Sequence, residues 1–61
     1  MPQYKIEVLL FPDQRSGFYF WCLLTLSGTH WCNSGQGWAE TPEKAWNDAR
    51  AYQRRVFSPN I

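Results

Sequence analysis

Cys22, His30 and Cys32 are the side chains here whose types could ligate a metal or pair a nucleophile with a base. A structural zinc site is recognised by thiolates paired at C-x-x-C spacing, and that spacing does not occur. His30 is the sole histidine. A Ser-His-Asp relay would have to run through it, in a small meander with no pocket to exclude water. "NSGQGW", residues 33–38, sets two glycines one residue apart but lacks the GK[ST] that completes a phosphate loop, and reads as a flexible exit from a sheet. Glu40 and Glu43 stand where a helix begins, and a carboxylate there serves the helix dipole. These residues predict no catalytic group, no metal, no cofactor and no small-molecule substrate.

The chain's size limits what could position any such group. With 61 residues it buries only about 60% of the surface its unfolded form exposes, which predicts one domain over 1–61 with one small core. Aromatic residues make up 18% of the sequence and hydrophobic ones 44%, too many for a disordered chain. Six Lys and Arg against five Asp and Glu leave a formal charge of +1, so no strong field points to a phosphate backbone or an anionic membrane. The opening "MPQYKIEVLL" carries charges inside its apolar run, unlike a secretory signal. Reduced cysteines and a cytoplasmic location are therefore expected. "FYFWCLLTL" is about half the ~20 residues of a membrane helix.

Residues 4–11, "YKIEVLLF", begin with the alternation of a half-buried strand, Tyr4, Ile6, Val8 and Leu10 on one side. "PDQRSG" is turn chemistry. Residues 17–26, "GFYFWCLLTL", form a second strand that is apolar on both faces: Phe18, Phe20, Cys22, Leu24 and Leu26 against Tyr19, Trp21, Leu23 and Thr25. A hairpin at Ser27 and Gly28 leads to a third strand over 29–35. That turn would pair Leu24 with Trp31 and Leu23 with Cys32, placing Cys22 and Cys32 on opposite faces. "QGWAE" would then carry the chain out of the sheet.

Thr41 as N-cap, Pro42 at the first helical position and Glu43 in the first turn predict a helix start. Ala45, Ala49, Tyr52 and Val56 recur at helical spacing, with Trp46 and Phe57 beside them, and Ser58 and Pro59 supply the stop. The expected fold is α+β: a three-stranded antiparallel meander followed by one C-terminal helix (βββα) packed on one face of the sheet. One helix cannot cover both faces. Either the second face is a contact surface, with Tyr19, Trp21, Trp31 and Trp38 as its anchors, or it is covered by residues 36–41 with Trp38, or by the tail with Ile61.

"SGFYFWCLLTLSGTHWCNSGQGWAETPEKAW" resembles the repeat of the YegP-like family of small bacterial domains, although without the Asn-Gly hairpin usual there. "GWAETPEKAWNDA" is similar to the strand-to-helix junction of HicB-type antitoxins, which have a shorter second strand. The first resemblance implies a fold, its family having no established activity to carry over; the second implies binding and inhibition of a protein partner. Together with the open aromatic face, they suggest a small non-catalytic binding module that pairs with a copy of itself or inhibits another protein. Phage and mobile-element anti-defence proteins offer the analogy. The alternative is a nucleic-acid-binding βββα domain, like the amino-terminal domains of some phage integrases, with Arg50, Arg54 and Arg55 as its cationic residues.

Overall fold

The computed structural model describes residues 3–57. Three antiparallel strands, β1 (Tyr4–Val8), β2 (Tyr19–Ser27) and β3 (His30–Ala39), pair in the order β1-β2-β3 and are followed by the helix α1 (Pro42–Phe57). This is the βββα arrangement. Leu9 still donates its N–H to Phe20 O at 2.9 Å, but the chain then leaves the sheet, so the first strand ends at Val8 and not at Phe11. In the connecting loop Asp13 accepts from the N–H groups of Arg15 and Ser16 and from Ser16 Oγ. These bonds hold its carboxyl below the ordinary carboxylate range.

The β2–β3 turn falls at Gly28 and Thr29, one residue later than Ser27-Gly28. Gly28, with φ +63°, takes the first central position, the pattern of a type II′ hairpin. Ser27 therefore faces His30, Thr25 faces Cys32 and Leu26 faces Trp31. This register lies two residues from the expected one, and an even slip preserves sides. Cys22 and Cys32 remain on opposite faces, and both thiols are free.

Beyond Cys32 the expectation fails. The third strand does not end at residue 35; it runs on through "QGWA" to Ala39. A β-bulge opposite Leu23 and Leu24 makes this possible, with Asn33 pairing Leu24, Gly35 pairing Leu23, and Ser34 as the extra residue between them. Ser34 is held at both ends: its Oγ lies 2.7 Å from Thr25 Oγ1, and its carbonyl accepts the Tyr52 hydroxyl at 3.0 Å. Past the bulge Gly35, Gly37 and Ala39 look toward α1. The Tyr52 ring occupies the space a side chain at Gly35 would need, and the Trp21 ring does the same at Gly37.

Cross-strand pairing places Tyr4, Ile6, Val8, Tyr19, Trp21 and Leu23 on the helix side of the sheet. The core there consists of Trp21, Leu23 and Ala39 from the strands and Ala45 and Ala49 from α1, with Ile6, Val8, Tyr19 and Tyr52 packed around it. Small residues bring the helix close, and large rings from the sheet fill the space. Thr41 caps α1 as expected, its Oγ1 accepting Lys44 N–H at 3.0 Å. Phe57 stacks on Tyr4 with ring centroids 5.5 Å apart, while Val56, expected to dock, is exposed. Ser58, Pro59 and Ile61 lie outside the described residues.

An alanine ordinarily suits a strand better than a glycine, but a Cβ at residue 37 would sit 2.7 Å from Trp21 Cζ2. Gly37→Ala should therefore destabilise by about 1–3 kcal/mol, read as a lower urea midpoint with an unchanged slope. Trp21→Ala should cost about 3–5 kcal/mol, comparable to all that a core of this size supplies, and abolish the near-UV circular dichroism of the chain.

Candidate functional site

The face of the sheet turned away from α1 has four cross-strand rows. Leu26 stands beside Trp31; Lys5, Leu24 and Asn33 form the next row; Glu7, Cys22 and Gln36 the third; Phe20 beside Trp38 the last. No element among the described residues lies over it. Trp31 is 42% exposed and Trp38 51%, while Phe20, Leu24 and Leu26 are half-buried by their neighbours. Phe20 and Trp38 meet edge to face at 5.1 Å. Each end of the face is aromatic, and its waist is polar at both margins.

The charges on this face cancel. Lys5 Nζ lies 3.7 Å from Glu7 Oε2 and 4.5 Å from the centre of the Trp31 ring, so it is engaged by both. Asn33 Nδ2 donates to Gln36 Oε1 at 3.1 Å, and Asn33 Oδ1 accepts the Gly35 N–H at 2.9 Å. Polar groups on the β3 side thus bond to one another across the bulge.

Of the four expected anchors, the structure brings two to this face and moves two away. Trp31 and Trp38 share it. Trp38 reaches it as part of β3, not as a flap folded over from residues 36–41. Trp21 is 6% exposed under α1, and Tyr19 packs against the same core, because their cross-strand partners Gly37 and Ala39 look toward the helix. Both therefore belong to the helix side, Trp21 buried and Tyr19 half-buried, and Leu23, buried completely, leaves the open face with them. In their place stand Phe20, Leu24 and Leu26. The stripe Gly35-x-Gly37-x-Ala39 could have indicated this, since small residues at period two mark a strand face lying under bulky rings.

Arg50, Arg54 and Arg55 are exposed on α1, so the sheet separates the helix that carries them from Trp31. Arg55 comes nearest the aromatic surface, in a groove of about 290 Å³ shared with Trp38, Tyr52 and the opposing carboxylate of Asp48. A stacking surface and a run of cations do not coincide. A second groove, about 430 Å³, lies between Val8, Leu10 and the first turns of α1 at Trp46. Its lining offers Glu43 as the one titratable group, which is no acid-base pair. His30 is exposed beside the hairpin turn, and no three potential metal ligands converge among the described residues. No helix there is long and apolar enough to cross a membrane.

Cys22 sits in the centre of the open face yet is nearly closed off by its row. Loss of water raises its thiol pKa above the usual 9.0, and the Glu7 carboxylate adds to the rise. Cys32, on the other face, is exposed. A thiol reagent at pH 8 should therefore label Cys32 at least about tenfold faster than Cys22 in the folded chain, and both alike in denaturant. A folded-state pKa raised above the unfolded value favours the native state below the unfolded pKa, and that contribution is lost as pH rises through the folded one. The stability difference between the wild type and Cys22→Ala should accordingly shrink above about pH 9.

Searches among protein-family models, curated proteins and solved structures found no match to this chain.

Proposed function

We propose that this chain is a non-catalytic binding module that docks a protein through the open face of its sheet. One observation carries the reading. Leu26 and Trp31 at one end of the face and Phe20 and Trp38 at the other are joined along β2 by Leu24 and Cys22, with a neutral Lys5–Glu7 pair at the β1 margin, on the side of the sheet that α1 cannot reach. Apolar surfaces of this kind on small folds mark contact sites, and Trp is among the residues that contribute most to the energy of contact. The reading draws further support from the charge balance, which favours a protein surface over a polyanion. The similarity to the strand-to-helix junction of HicB-type antitoxins suggests inhibition of the protein so bound, in the manner of anti-defence proteins of phages and mobile elements.

Trp31 and Trp38 are exposed, so replacing both with Ala should leave the far-UV spectrum intact and shift the melting temperature by only a few degrees. An immobilised wild-type chain should retain a specific protein from an extract of its native host, and the double variant should lose it by more than ~2 kcal/mol in affinity. Equal retention by both would remove the open face from the interaction. Retention that collapses between 50 and 200 mM salt would instead indicate a nucleic acid bound by Arg50, Arg54 and Arg55.

A further inference from the structure

We propose that a second copy of this chain is the occupant of the open face, the two sheets packing face to face about a two-fold axis that lies between them and runs across the strands. The proposal rests on the protein-docking reading above and names its partner. The ordering of the four rows points to it. An axis placed between the Leu24 row and the Cys22 row exchanges the second row with the third and the first with the fourth. Lys5 then faces Glu7 of the other copy and Glu7 faces its Lys5. Asn33 meets Gln36, Trp31 meets Trp38, and Leu26 meets Phe20. Every group opposes one of complementary character, as a self-complementary isologous contact requires. An axis along the strands would instead lay β1 of one copy over β3 of the other, setting Lys5 and Glu7 against Asn33 and Gln36.

The face that must make the contact is the sheet itself: three strands about 4.8 Å apart, and the stretch from Phe20 to Leu26 at about 3.3 Å per residue. Its outline is roughly 300 Å², so the dimer belongs at the small end of specific interfaces. The monomer also has reason to associate. Its core holds few fully buried side chains, its cysteines are free, and no metal-ligand cluster forms among the described residues. Oligomerisation is one of the means by which a core this small reaches ordinary stability. Pairing through the β3 edge is the weaker geometry, because the bulge interrupts that edge and Asn33 already occupies the Gly35 N–H.

Charge reversal tests the arrangement. Lys5 and Glu7 are exposed on β1, so Lys5→Glu and Glu7→Lys should both fold, as checked by far-UV circular dichroism. Light scattering across a concentration series should give a mass of two chains for the wild type, and each variant alone should dimerise at least about tenfold more weakly, since like charges then face each other twice. Mixing the two variants should restore the dimer, because the acidic face of one then meets the basic face of the other. Changes within a single chain cannot produce that recovery.

A wild type that stays monomeric at every concentration overturns the second copy, while capture of a different protein by Trp31 and Trp38 would still uphold the docking reading. A dimer indifferent to both reversals lies elsewhere on the molecule and overturns this placement. A dimer weakened by both but not restored on mixing overturns the two-fold arrangement. As an independent check, Leu24→Lys places a charge at the centre of the face and should also yield monomers; a folded Leu24→Lys dimer overturns the proposal.

Discussion

One extra residue, Ser34, governs this fold. Side chains on a strand alternate, so Trp31 and Trp38, seven positions apart, belong on opposite faces of an unbroken strand. The bulge at Ser34 adds one residue to β3 without adding one to β2, and from there on the alternation reverses. Gly35, Gly37 and Ala39 thereby come to lie under the helix, while Gln36 and Trp38 come to lie beside Asn33 and Trp31. The interactions that hold Ser34 span the structure: Thr25 from the central strand through its hydroxyl, and Tyr52 from the helix through the Ser34 carbonyl. The helix thus stabilises the irregularity that makes room for it.

Close approach of sheet and helix follows. Tyr52 lies over Gly35 and Trp21 over Gly37, and the two rings meet each other with centroids 5.8 Å apart. A side chain at either glycine would displace a ring, so backbone conformational freedom is given up here for contact area. Ala45 and Ala49 do the same from the helix side, where each is fully buried. The core is therefore an aromatic layer set between glycines and alanines. It tolerates little change of volume, since interiors are packed without spare room.

How much of this could be read from the sequence depends on the range of the signal. The helix was legible because its determinants are local: Thr41, Pro42 and Glu43 act within one turn, and Ala45 and Ala49 repeat at the helical period. The strand count was legible from alternation and turn residues. The assignment of faces was not, because β2 is apolar on both sides and its own pattern gives no preference. A partner strand breaks that tie only once its register is known: the β1 register is not written in its sequence, and β3 conceals its pattern behind the parity switch at Ser34. With "NSGQGW" taken as a flexible exit the strand ends early, and the glycine stripe that assigns Trp21 to the core is lost from it. Trp31 and Trp38 stand out in the sequence as aromatic; that they share a face is a consequence of the bulge.

The margins of the sheet are treated differently from its centre. An exposed strand edge invites uncontrolled pairing, and both edges here are guarded. β1 is short and carries Lys5 and Glu7, and β3 is broken by its bulge, where Asn33 takes up a backbone donor. Charge is plentiful on α1, with Glu43, Lys44, Asp48, Arg50, Arg54 and Arg55. The same means were available for the open face, since a Lys or Glu at Leu24 or Leu26 would satisfy the strand and leave the core on the other side untouched. Instead both positions are apolar, and Leu26 stands beside Trp31. Association through the edges is thus hindered at both margins, while the surface between them is left apolar.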